Sequence, residues 1–160
     1  MPVAIKTSVL FAALLCATFG CNSSENTNPI PVPAGVVIEL YEVAAAPGNN
    51  TRTAVDPTTG NPIDLVTPPL IVTNDIDTIA QQVDTNQPGQ PMLKISLTPG
   101  GGQKMLAATS KPTASKLALV VNGKVVAVAQ IMVPIQDSMV LSGDYQNPGF
   151  EMARKIFAGE

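Results

Sequence analysis

The chain is 160 residues long, with nine Lys and Arg against twelve Asp and Glu, a net charge of −3, and neither His nor Trp. That length accommodates one domain and a tail, and the missing histidine excludes Ser-His-Asp and Cys-His catalysis together with the usual zinc and iron sites. The lysines are dispersed and aromatics make up only 4% of the chain, so neither the clustered cations of a nucleic-acid surface nor a stacking platform is present, and no nucleic-acid partner is expected.

Residues 1–20 have the order of a secretory signal: Lys6, the apolar run at 9–15, then the small-residue stretch "ATFGC". The run is too short for a permanent span and no later segment reaches the roughly 20 apolar residues one needs, so no transmembrane segment is expected. "ATFG" before Cys21 resembles the lipobox of bacterial lipoproteins. Gly20 is the small residue expected before the cysteine, while Thr18 stands where Leu is usual and Phe19 is bulky. Cys16 is a poorer acceptor because Leu15 precedes it. The expectation is lipidation of Cys21, with an ordinary cleaved signal as the alternative. At most one cysteine then remains, so no internal disulfide can form. Cleavage also leaves eight basic residues against twelve acidic ones, a net charge of −4. Residues 22–34, "NSSENTNPIPVPA", are polar and then proline-rich, the composition of a flexible tether with an r.m.s. reach of about 20 Å. The expected division is a signal peptide at 1–20, lipidated cysteine and tether at 21–34, and a folded domain at 35–160.

Residues 35–46, "GVVIELYEVAAA", have the β-branched, alternating character of a strand. The turn formers that follow, to about Asp64, predict a surface loop. "LVTPPLIV" offers short extended pieces broken by Pro68 and Pro69. In "TNDIDTIAQQVDTNQPGQ", Ile76, Ile79, Ala80 and Val83 fit one helical face, whereas the family resemblance named below implies a short turn and then a strand. "PMLKISLT" alternates Leu93, Ile95 and Leu97 with Lys94, Ser96 and Thr98, a half-buried strand. Thr98 and Pro99 then read as N-cap and first helical residue, with Gly102, Met105, Leu106 and Thr109 at helical spacing. The glycines 100–102 before Lys104 do not make a Walker loop: Gln103 intervenes, and Met105 stands where the magnesium-binding hydroxyl belongs. "KLALVVNGKVVAVAQI" predicts a two-residue hairpin turning at Asn122-Gly123, apolar on both faces and therefore central in its sheet. "SMVLSG" is a further strand. Asn147 and Pro148 repeat the cap-plus-proline signal, and Phe150, Met152, Ala153, Ile156 and Phe157 supply the buried face of a last helix ending at Gly159.

With that order in place, "PMLKISLTPGGGQKM" with Thr109, "KLALVVNGKVVAVAQIMVPI", "MVLSG" and "MARKIFAG" resemble the head subdomain of the first periplasmic domain of SecD and SecDF, the P1 head. "LIVTNDIDTIAQQVDTNQPGQP" and "VVIELYEV" fit its earlier parts, so the resemblance spans roughly residues 36–160. It implies an α+β fold with a mainly antiparallel sheet and two or three helices packed mostly on one face. It also implies contact with polypeptides in the periplasm and no catalytic residues. Gly100 and Gly102 depart from the better helix formers usual in the family, and "YQNPGFE" replaces a more acidic start to the last helix. SecD continues beyond this helix into transmembrane segments that couple the head to proton flow. The sequence here stops at Glu160, so a proton-driven pump is not expected.

The functional expectation is a membrane-tethered, non-catalytic, extracytoplasmic module that binds proteins, either secretory precursors or envelope and translocon components. A purely structural envelope lipoprotein without clients is the alternative. Met92, Met105, Met132, Met139 and Met152 would give an adaptable apolar surface if exposed, and the core reading is favoured for Met105 and Met152. An open edge strand would instead bind an extended peptide by strand addition. Asn74, Asp75 and Asp77 offer hard oxygens to calcium, but the remainder of an EF loop is absent and Asp or Asn at such a place is more often a cap. No catalytic residue, cofactor or metal site is expected.

Overall fold

The computed structural model of the chain describes residues 28–83, 90–111, 116–142 and 148–159. Over these residues the elements are β1 (Ile38–Ala44), β2 (Thr51–Val55), β3 (Pro62–Val66), β4 (Ile76–Val83), β5 (Pro91–Leu97), α1 (Pro99–Thr109), β6 (Lys116–Val121), β7 (Lys124–Gln130), β8 (Ser138–Ser142) and α2 (Pro148–Ala158), with a 3-10 turn at Thr73–Asp75. This is the α+β class expected. Every strand pairing is antiparallel, and the strands divide between a five-stranded sheet of order β2-β3-β1-β6-β7 and a three-stranded sheet of order β4-β5-β8.

Strand alternation explains how one core serves both sheets. Leu117, Leu119 and Val121 of β6 face the same way as Ile38 and Leu40 of β1, and they meet Ile95, Met139 and Leu141 from the smaller sheet together with Met105, Phe150 and Phe157 from the helices. The intervening residues Ala118 and Val120 point to the opposite face, where they form a second cluster with Tyr41 and Leu65. β6 is therefore apolar on both faces for two separate reasons. Over the second cluster the Arg52 guanidinium lies 4.6 Å from the Tyr41 ring centroid, and the Tyr41 hydroxyl donates to Glu39 Oε2 at 3.1 Å.

The β6–β7 turn takes the form the sequence predicts, with φ of 48° at Asn122 and 79° at Gly123. Asn122 also ties the turn to the start of β1, since its Oδ1 accepts from the Val37 N–H at 2.8 Å and its own N–H donates to the Val37 carbonyl at 2.8 Å. The expectation that both strands lie centrally holds for β6 alone. β7 is the last strand of its sheet, and its apolar face is covered by α2, where a Cβ added at Gly149 would stand 2.5 Å from the Val126 carbonyl oxygen.

One further expectation is corrected, and one ambiguity is resolved. The predicted loop before Asp64 contains β2 and the start of β3, paired from Thr51 with Val66 to Val55 with Pro62. Its turn formers close this hairpin: the Asp56 N–H donates to the Asn61 carbonyl at 2.9 Å, the Thr58 N–H to Asp56 Oδ1 at 2.8 Å, and Gly60 takes a φ of 72°. In the ambiguous "NDID" segment the turn-and-strand alternative is the one adopted. The register slips between Ile76 and Thr78, so Asp77 is the extra residue of a bulge, and the three-residue spacing of buried Ile76 and Ile79 imitates a helix.

The stretch read as a tether joins the fold before its end. Ile30 and Ile79 exchange two hydrogen bonds of 2.8 Å along the outer edge of β4, and Val32 packs against the main core.

Candidate functional site

The glycine-rich segment forms a structural joint. Thr98 is extended (φ −64°, ψ 161°), and its Oγ1 accepts from the Gly101 N–H at 3.2 Å, capping α1 as its sequence predicts. The Asp75 carbonyl accepts from the Thr98 N–H at 2.9 Å. Lys104 Nζ reaches both Asp75 carboxylate oxygens, at 2.8 and 2.9 Å, and Asp75 Oδ2 accepts from the Val72 N–H at 3.2 Å. Burial tends to raise the Asp75 pKa, but the Lys104 hydrogen bond, the Val72 N–H and the lysine charge more than offset it and hold the carboxyl below its ordinary value.

The lysine that would meet a phosphate is committed to Asp75, and the carboxylate that would meet calcium is committed to Lys104. Asn74 and Asp77 are exposed to solvent beside it. Among the described residues, no group of three or more Cys, Asp or Glu is placed to hold a metal ion. Gly101 and Gly102 serve close packing: a Cβ at Gly101 would collide with the Asp75 carbonyl, and one at Gly102 would stand 2.5 Å from the Gln136 carbonyl oxygen.

The C-terminal turn of α1 builds a second feature. The Thr109 hydroxyl donates to the Met105 carbonyl at 2.8 Å and accepts from the Ile135 N–H at 2.8 Å. That bond pins the link between β7 and β8 so that Ile131 and Ile135 form one wall of a cleft of about 220 Å³. Leu117 and Leu119 of β6 line it as well, and Met139 of β8 borders it. No charged side chain lines this cleft, and its polar members are Gln130 and Ser138, so it offers mainly apolar contact with a few uncharged hydrogen-bonding groups.

β8 terminates its sheet, and no described strand pairs its outer side. The Leu97 N–H donates to the Asp137 carbonyl at 2.8 Å, which fixes the phase of the ladder. With Ile95 opposite Met139 and Leu93 opposite Leu141, hydrogen-bonded pairs alternate so that Met139 and Leu141 bond to β5. The N–H and C=O groups of Ser138, Val140 and Ser142 therefore point outward. Val140 is 50% exposed there, and Met132 and Val133 in the neighbouring link are 82% and 66% exposed.

The methionines divide. Met105 is fully buried, Met139 lies between core and cleft, Met152 packs against the core, and Met132 is the exposed one. Cys21 lies outside the described residues. Sequence reasoning did not single out Val140 or the cleft, although the alternation in "SMVLS" and its lack of charge were the available signal.

A family model described as the SecDF P1 head subdomain matches residues 50–153, a range that includes the β2–β3 hairpin. Among solved structures, that of SecDF described as a membrane component that enhances protein export is 22% identical with a TM-score of 0.54, over 76% of this chain and 60% of that one. A crystal structure of SecDF in a super-membrane-facing form is also 22% identical, with a TM-score of 0.55, over 76% of this chain and 18% of that one. The chain thus spans less than two thirds of the length of either, and at that identity the likeness concerns the fold. No curated protein matches significantly.

Proposed function

Because the chain belongs to the SecDF P1 head subdomain family, we propose that it is a non-catalytic, extracytoplasmic module that contacts polypeptides in protein export or envelope assembly. It is held at the membrane by a lipid on Cys21 after removal of residues 1–20. The observation that carries this reading is the uncharged cleft beside the open edge of β8. An extended polypeptide recognised through its backbone and apolar side chains needs an unpaired strand edge and an adjoining apolar surface, and both lie together here. The family's place in SecDF, whose solved structure is described as enhancing protein export, supports the same assignment.

The test is photo-cross-linking in intact cells of the native organism from a probe at Met132, which is exposed beside the cleft, with Cys21→Ala as the unanchored control. Adducts with translocon subunits or with many unrelated secretory precursors, reduced in the control, are the expected result. A single stable envelope partner, or nothing above background, would replace this reading with that of a structural envelope lipoprotein.

A further inference from the structure

We propose that the protein self-associates through β8: two copies meet antiparallel about a twofold axis at Val140, joining their three-stranded sheets into one of six strands. The partner is a second copy of this chain; seated on β8 it takes the backbone groups that the export reading offers to a client and leaves that client the adjoining cleft.

The phase of β8 supplies the bonding. Ser138, Val140 and Ser142 each present an N–H and a C=O outward, so in a pairing centred on Val140 each exchanges both bonds with its opposite number. The sequence supplies the match. Ser-Met-Val-Leu-Ser reads nearly the same in both directions, which sets Ser138 against Ser142, Met139 against Leu141 and Val140 against itself. Apolar residues therefore meet apolar residues on the inner face, and the half-exposed Val140 gains a partner on the outer one.

A twofold strand pairing brings like charges together, and β8 carries none; Asp137 lies just outside the paired stretch. Exposed edges are ordinarily blunted by Lys, Pro or a bulge, yet β8 has neither residue and pairs with β5 in unbroken register. The other sheet edges differ. Ile30 occupies the edge of β4, α2 packs on β7, and β2 carries Arg52. In the pair, Met139 and Leu141 of the partner continue the apolar layer past the mouth of the cleft. The described N-terminal residues dock on β4, at the opposite side of the smaller sheet, and leave β8 clear.

The experiment uses the full chain in its native cells. Val140→Cys is expected to give a covalent dimer with a short bis-maleimide cross-linker, because a hydrogen-bonded antiparallel pair sets the two thiols opposite each other with Cα atoms about 5.5 Å apart. Val55→Cys, on β2 and somewhat more exposed than Val140, and the unsubstituted chain with its own cysteines serve as controls. Two differently tagged copies should co-purify, and Val140→Lys in both should reduce recovery at least tenfold while leaving the far-ultraviolet circular dichroism spectrum of a folded chain unchanged. A dimer yield from Val140→Cys no higher than from Val55→Cys overturns the proposal. So does undiminished co-purification of the Lys variants, which would place the contact elsewhere, or Val140→Cys linking instead to unrelated polypeptides, which would give the edge to a client. Failure of the dimer leaves the Met132 adducts of an export module untouched, and a dimer found together with those adducts confines the client to the cleft.

Discussion

Asp75 joins the 3-10 turn to α1 through its carboxylate and its carbonyl at once, so its removal tests the joint directly. Asp75→Asn keeps an acceptor for the Val72 N–H but loses the charged contact with half-exposed Lys104, and it should cost about 1 kcal/mol at neutral pH, seen as a lower thermal midpoint. The Asp75 pKa is depressed in the folded state. Its stabilisation is therefore complete above the ordinary value of 3.8 and is lost as pH falls through the lower, folded-state value. Thermal melts through the acid range should show that part of the acid limb in the wild type and not in Asp75→Asn. The neighbouring glycines give a paired test. Gly100 faces open space, so Gly100→Ala should stabilise by about 0.5–1 kcal/mol through helix propensity. Gly101→Ala has the same propensity gain but drives a Cβ into the Asp75 backbone, and a net loss of about 1–3 kcal/mol is expected in urea denaturation. The two glycines look alike in sequence because what separates them is the approach of a distant backbone segment, which no local pattern records.

Elements with a strong local pattern were legible in the sequence: β5 by alternation, α1 by cap, proline and periodic apolar residues, α2 by proline and periodic apolar residues, its expected cap Asn147 lying outside the described residues, and the β6–β7 hairpin by Asn122-Gly123. The hairpin makes a definite prediction, since Gly123 sits at a φ of 79°. Gly123→Ala should cost about 1–2 kcal/mol, measured as a shift of the denaturant midpoint without a change in slope. Illegibility had physical causes too. β2 and β3 are short, half-exposed strands whose pairing with β1 and each other, rather than their composition, makes them strands. The bulge at Asp77 converts a strand's period of two into a spacing of three at Ile76 and Ile79. β7 matches β6 in apolar character because α2 covers it, and composition alone does not distinguish a helix from another strand as the cover. The cleft was illegible for a similar reason: its lining comes from β6, β8 and the link pinned by Thr109, segments brought together only by the tertiary fold.

At the scale of the molecule, one apolar cluster spans both sheets and both helices, which predicts a single cooperative unit. Leu119→Ala on β6, a site only 2% exposed, should remove about 2–5 kcal/mol. Native-state hydrogen exchange should show protection in β5 of the other sheet falling in step with that in β6. Loss confined to the five-stranded sheet would mean that the sheets unfold separately. The bridge between Ile30 and Ile79 gives this unit a mechanical property. A pull applied at Asn28 meets that one pair of hydrogen bonds first, with Val32 and Val36 packed behind it, before it reaches β1, which Asn122 and its ladder hold fast. The bridge then acts as a fuse. It yields first under load and frees residues 31–36, which span at most about 20 Å when fully extended, while the sheets stay folded.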